Sequence, residues 1–449
     1  HHQTPGGQSA PDGGQVPTRP GEPPARGLAR AKEGSPLNAR NPLRTAIPVI
    51  AAVIAASLTS GCWDRYEVES LGFVTATAID PADTPPNAIG WTSFDLTVQI
   101  DSTDLGGGGG DGASGILSST SAQATGTVIT GRGFSPLDAL NQIQDTVPRQ
   151  VYIAHNRVVV IAEELARTEM RQVLDFFHRA RQTRREALLV VARGIPAKEA
   201  IAAEFPLAGK SGEGLFSLIR LTARVRGADA RTIHDFLVDT SLEGIDPYLG
   251  VLVPAPTDPN IGSDLPPLRV MYSGIALFRG DRLVGYLDDR EARGLLWALG
   301  RVTTSHIQIP CPHDPSDPIA MEIHRSRGNV VTEFRPEIRG RIEVVMEGRL
   351  TEVGCAQDFE RTSDSVEEVH HLAVSAIKEE ISAAVTRAQM LQSDAFGFGA
   401  ALFRRSPRTW REVSDRWYEE IWPYLPVDID VKLDIRRPGL TAGPYSVDR

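Results

Sequence analysis

The chain holds three cysteines, and their settings suit different chemistry. Cys62 follows an apolar run at residues 47–58 and the small residues Ser60 and Gly61, with Arg40 and Arg44 ahead of the run. That order is a bacterial lipoprotein signal, in which the cysteine takes a diacylglyceryl group and becomes the new N-terminus. The run is too short for a membrane span, which needs about 20 apolar residues. Thr59 stands where an aliphatic residue is usual, with Leu58 one place earlier. The alternative is a free cysteine behind a plain secretory signal.

Cys311 and Cys355 would lie outside the membrane after export, where disulfides persist. Both fall near the ends of expected strands. A bridge would add about 3–4 kcal/mol through loop closure; two separate buried thiols is the other reading, and the sequence leaves both open. His306, Cys311 and His313 invite a zinc site, but the spacing fits no standard finger and a fourth ligand is missing. His155 lies among apolar strand residues and reads as a buried histidine bonded to backbone. A base there would need a nucleophile beside it, and none is signalled. Trp410, Trp417 and Trp422 could line a pocket or fill a core, and core is the commoner use. Glu379-Glu380 and Arg404-Arg405 read as solvated helix faces. The glycines at 106–112 and Gly131-Arg132-Gly133 lack the Lys-Ser/Thr ending of a phosphate loop.

The chain carries 47 basic and 57 acidic residues, a net of −10. From Cys62 onward the count is 41 against 54, about −13. So acidic a body is poorly matched to nucleic acid, where phosphate neutralisation supplies much of the affinity, or to anionic lipid through a basic face. Attachment to a membrane must then come from the lipid, and a diacylglyceryl group supplies the two chains that stable anchoring needs. The first forty residues, rich in Gly, Pro, Gln and Arg, cannot bury enough surface to fold. The chain starts with His and has no Met before Cys62, so a start at Leu37 is expected. Peptides from residues 1–36 in the native protein would refute that.

Strands are expected at residues 71–79 and 94–100, the second alternating cleanly. Ser135-Pro136 opens a helix with Leu137, Leu140, Ile143 and Val147 on its apolar stripe. Residues 150–161 read as one buried strand, 163–180 as a helix, and 187–192 as another buried strand. Two short helices follow within 212–240, then a Pro/Asp/Gly-rich linker at 254–267. A hairpin turns at Gly280-Asp281, and Asp288 with Glu291 has capping-box spacing. Strands at 302–309, 320–325 and 337–350 precede a long helix at 366–391, a Trp-rich helix at 409–421 and a last strand at 427–435. The class is α+β, multi-domain, with mixed or antiparallel sheets flanked by helices. The expected divisions are a leader over 1–61, an N-terminal domain over 62–205, a small middle domain and linker over 206–267, and a C-terminal domain over 268–449, built as a meander with helices on one face.

In sequence, Gly61-Cys62-Trp63-Asp64-Arg65 with Glu67 and Leu71 resembles the mature start of the Ger(x)C spore germination lipoproteins. So do residues 152–160 with His155 embedded, Asp246-Pro247-Tyr248-Leu249, residues 273–278 followed by Leu295-Leu296-Trp297, Gln389 with Asp394-Ala395-Phe396-Gly397-Phe398-Gly399, Trp410 with Trp417, and residues 436–440. The order and spacing cover nearly all of 62–440. The resemblance implies three domains and a non-enzymatic subunit of a nutrient germinant receptor, working with two integral membrane subunits, A-type and B-type, on the outer face of the spore inner membrane. It implies no catalytic residue, no metal and no cofactor. A lipid-anchored solute-binding or transport-accessory protein is the alternative, and needs a preformed cleft with convergent polar groups. An envelope hydrolase ranks last, for want of a nucleophile elbow, a metal motif or a persuasive carboxylate pair.

Overall fold

Runs of Val, Ile and Leu set the centre of a nine-stranded sheet in the computed structural model. The structure describes residues 70–83, 91–101, 126–168, 170–180, 182–205, 208, 212–256, 269–302, 304–312, 315–354 and 363–436. Strand β1 (Leu71–Pro81) pairs antiparallel with β2 (Phe94–Asp101), and β2 with β3 (Gly126–Gly133). On its other side β1 pairs in parallel with β4 (Gln150–Tyr152) and then β5 (Val158–Ala162). Strands β6 (Leu188–Ala192) and β7 (Tyr248–Pro254) continue in parallel. The antiparallel hairpin β8 (Val270–Arg279) and β9 (Arg282–Leu287) ends the sheet. β5 and β6 are buried at every position, as parallel strands covered on both faces must be.

The helices of this part are α1 (Pro136–Gln144), α2 (Glu163–Thr168), α3 (Met170–Arg179), α4 (Ala197–Ala202), α5 (Gly212–Arg226) and α6 (Ile233–Ser241). Ile143, Leu165, Val173, Phe177 and Phe236 pack α1, α2, α3 and α6 on one face. Ala200, Ile201, Leu215 and Ile219 pack α4 and α5 on the other. Pro196 cannot cap α4 with a side chain, and Asp80 from the end of β1 does so instead, accepting from the amides of Ala197 (2.7 Å) and Lys198 (2.9 Å).

A second sheet holds β10 (Ser305–Pro310), β11 (Pro318–Glu333), β12 (Arg339–Val353) and β13 (Val427–Ile435) in that order. β12 alternates buried and exposed along most of its length, so one face meets a core and the other meets solvent. That core is built with α7 (Asp289–Ala298), α8 (Ser363–Met390), α9 (Phe398–Arg405), α10 (Pro407–Val413) and the turns that follow. The Asp288/Glu291 capping box forms as its spacing predicts. α7 crosses α8 at Gly294, where an added Cβ would stand 2.1 Å from the carbonyl oxygen of Glu380. The fold is α+β, with two mixed sheets and flanking helices.

The structure departs from the expected elements in several places. β13 runs parallel to β12, so the second sheet is not a meander; α8–α10 form the crossover that parallel pairing demands. The expected strand over 150–161 is broken by a 3₁₀ turn, Ile153–His155. The cause is register: Phe73 faces Tyr152 but Ala76 faces Val158, and the turn absorbs the extra residues. Residues 163–168 and 170–179 are helical, as expected. Leu137 is exposed, whereas Ile143 of the expected stripe is buried and Leu140 and Val147 pack half-buried against the core; α1 also buries Pro136 and Ala139. β7, in the apolar run after Asp246-Pro247, was not foreseen as a strand. The Trp-rich segment is one short α-helix followed by 3₁₀ and π turns.

Candidate functional site

Two carboxylates separated by 148 residues meet in the interior. Asp394 lies between α8 and α9, in the turn Ser393-Asp394-Ala395-Phe396-Gly397. Gly397, the residue before α9, has φ +75 and no side chain to cap with. Asp394 takes that duty. Its Oδ1 accepts from the amides of Gly397 (2.8 Å) and Phe398 (3.0 Å), and its Oδ2 from the Gly399 amide (2.8 Å) and Trp417 Nε1 (3.0 Å). Asp246 stands just ahead of β7. Its Oδ1 accepts from the Gly280 amide in the β8–β9 turn (2.9 Å), and its Oδ2 from the Asp394 amide (2.8 Å). The Asp246 amide donates to the Asp394 carbonyl (3.1 Å).

Further contacts knit the same spot. Ser393 Oγ donates to the Phe278 carbonyl (2.6 Å), and Trp422 Nε1 to the Ser393 carbonyl (3.1 Å). Gln389 Nε2 donates to the Leu425 carbonyl (2.8 Å), and Trp410 Nε1 to Glu243 (2.7 Å). Gly244 and Gly399 touch backbone to backbone; a Cβ on Gly244 would stand 2.4 Å from the carbonyl carbon of Gly399. Trp410, Trp417 and Trp422 are all buried and serve as core, with Trp410 and Trp417 packed edge-on at 5.4 Å. The approach to β7, the β8–β9 turn and the α8–α9 turn are thus fastened at one point.

Burial pushes Asp246 up to about 6, against the Gly280 and Asp394 amides that favour its charge. Burial pushes Asp394 up to about 7, with the Asp246 charge adding to the rise and the Gly399 and Phe398 amides opposing it. A carboxyl near 7 is in range for proton transfer. This one has 0% exposure and gives both oxygens to the chain's own donors, so it fastens rather than catalyses. A carboxyl whose folded value is raised binds more protons folded than unfolded, so its contribution to stability falls as pH rises. The window runs from the unfolded value of about 4 up to about 7. The thermal midpoint of Asp246→Asn, compared with the parent across pH 4–8, is expected to lose part of this downward slope. An unchanged slope would remove Asp246 from the account.

A second buried cluster lies at the α7–α8 crossing. Arg293 makes a two-pronged contact with Glu380 (Nε to Oε2 2.9 Å), and Trp297 Nε1 donates to the same carboxylate (3.1 Å). Glu380 is therefore buried, not part of a solvated face; Glu379 is exposed and pairs with Arg290 (2.9 Å). Arg404 and Arg405 are exposed as expected.

The sequence-derived candidates fare differently. Cys62, Cys355 and His313 lie outside the described residues. Cys311 is buried after β10 and is disulfide-bonded. His306 is exposed on β10, and no group of three or more metal-capable side chains occurs among the described residues. His155 is exposed rather than buried, because the 3₁₀ turn lifts it off the strand; its ring packs on Phe73 and Tyr152. The carboxylate pair that the sequence did not reveal is Asp246–Asp394. A cavity of about 430 Å³ opens beside Asp229, Tyr272, Ser273 and Asp289. These four residues already engage the chain's own groups: Ser273 Oγ and the Gly274 amide donate to Asp289, and the Tyr272 hydroxyl to the Asp229 carbonyl.

Comparison with known proteins matches the model described as "Spore germination protein N-terminal domain" over residues 64–254 and the one described as "Spore germination B3/ GerAC like, C-terminal" over 273–439. The putative spore germination protein YfkR of Bacillus subtilis (strain 168) is 25% identical over 401 residues, covering 88% of this chain and 98% of that protein. Spore germination protein KC of the same organism is 24% identical, covering 90% and 98%. The crystal structure of the GerBC protein aligns with a TM-score of 0.47 at 17% identity, over 81% of this chain and 98% of that one. Among the described residues no helix is long and apolar enough to cross a membrane.

Proposed function

The chain belongs to the Ger(x)C family of spore germination proteins, and on that premise we propose that it is the lipid-anchored subunit of a nutrient germinant receptor. It would sit on the outer face of the spore inner membrane and act by contact with integral membrane subunits. The observation that carries this reading is the pair of family matches, whose first begins two residues past Cys62. Chemistry plays no part in it. The motif residues of the C-terminal half build an interior fastener whose oxygens are occupied by the chain itself. A diacylglyceryl group on Cys62 raises the local concentration of the body beside its membrane partners without any new contact. Cys62→Ala is expected to move the protein from the membrane to the soluble fraction of spore lysates and to slow nutrient-triggered germination. Full membrane retention of that variant would contradict the anchor.

The solute-binding reading draws on the 430 Å³ cavity. It ranks second because the polar groups named there are already paired within the chain.

We also propose Cys355 as the partner of Cys311. The Cys311 amide donates to the Asp317 carbonyl and the Gly354 amide to the Pro318 carbonyl, so both chain ends converge on the start of β11. The bridge would clip β10 and β12 together around that strand. Reduction is expected to cost about 3–4 kcal/mol of stability, and peptide mapping without reductant should recover one peptide holding both cysteines. A Cys311 peptide joined to any other cysteine refutes the pairing.

A further inference from the structure

His155 belongs to a motif that the fastener does not use. The register pairs Phe73 of β1 with Tyr152 of β4. Their rings meet edge-on at 5.9 Å, and the His155 ring stands 5.0 Å from Phe73 and 5.8 Å from Tyr152. Phe73 and Tyr152 are half-buried and His155 is exposed. Arg149 and Arg157 flank the group, both exposed; Arg157 also pairs with Glu213 at 3.4 Å. Tyr152 and His155 each carry an apolar body and a polar tip, and such rings, here with the apolar Phe73 and cations beside them, are what proteins place at the boundary between lipid and water.

The position of the trio along the chain names its occupant. Eight residues, 63–70, separate Cys62 from the start of β1, nine steps with a reach of about 31 Å at about 3.4 Å per step. β1 itself has 11 residues, and its ten steps span about 33 Å at about 3.3 Å per step. The trio is at the near end of β1. An exposed aromatic pair, Trp91 and Phe134 at 6.3 Å, flanks Phe94 and Gly133, which mark the far end of β1 beside Pro81.

We propose that the Phe73–Tyr152–His155 trio lies among the phospholipid headgroups and orients the body on the membrane. This rests on the lipid attachment proposed for Cys62. The test uses the full lipidated chain on vesicles of phosphatidylethanolamine and phosphatidylglycerol, with the photocrosslinker p-benzoylphenylalanine in place of His155 or, as control, Leu137. Leu137 is 54% exposed and follows the far end of the sheet. The expected result is flotation of both proteins with the vesicles, a phospholipid adduct at 155 and none at 137. Flotation without an adduct at 155, or with equal adducts at both, overturns the inference while leaving the anchor standing. A protein adduct in place of lipid at 155 in spore membranes also overturns it. Loss of flotation removes the anchor and this inference with it.

Discussion

Asp394→Ala is expected to lose at least about 3 kcal/mol of folding stability, measured by urea unfolding near pH 8. The reason is asymmetry between making and orphaning hydrogen bonds. Each buried donor left without a partner costs about 1–3 kcal/mol, and this substitution orphans three: the amides of Phe398 and Gly399, and Trp417 Nε1; the Gly397 amide keeps its bond to the carbonyl of residue 394. Water cannot readily replace the carboxylate, since Trp417, Phe398 and Ser393 around it are all fully buried. Asp394→Asn keeps one acceptor oxygen but turns an NH₂ toward the remaining donors, and is expected to cost about half as much. Asp246→Ala orphans the Gly280 and Asp394 amides, while the Tyr418 hydroxyl, half-buried, can turn to water, so it should cost less than Asp394→Ala. A loss below about 1 kcal/mol for Asp394→Ala would mean the donors find other partners, and the fastener would then be incidental. Loss of germination in Asp394→Ala without loss of stability would point instead to a direct role for the carboxylate.

Local signals in the sequence were good guides to elements and poor guides to meeting points. The Asp288/Glu291 box needs only its own four residues, and it formed as spaced. The alternation of Phe94, Leu96 and Val98 likewise reports a strand regardless of what lies next to it. The break at Ile153–His155 depends on how far β1 has advanced past β4, which no residue in 150–161 encodes. That is why His155 looked buried and is not. Asp394 before a Phe-Gly-Phe-Gly turn does carry a local trace of its role, since a carboxylate ahead of a glycine-rich helix start is a cap. Asp246 carries none, because its partner is 148 residues away. Glu380 looked like half of an exposed acidic pair for the same reason. Its burial is set by Gly294 on another helix, which lets α7 come close enough to cover it.

Glu380→Ala should therefore be the second costly change, at about 3 kcal/mol. Removing one member of a buried ion pair strands the other charge, which typically costs about 3–5 kcal/mol. Arg293 keeps 26% side-chain exposure, so part of its charge can be resolvated, and the low end of that range applies. Trp297 Nε1 loses its acceptor as well. The control is the paired change Arg293→Met with Glu380→Leu, which removes both charges and fills the crossing with apolar volume. It is expected to recover much of the loss, because the ion pair's own attraction is largely offset by the desolvation of its members. A double-mutant cycle over Arg293→Ala and Glu380→Ala should then give a coupling of about 2–3 kcal/mol. A coupling near zero would show that Glu380 stabilises through Trp297 alone. That outcome would shift the role of the cluster from tying α7 to α8 by charge to holding one tryptophan in place beneath the second sheet.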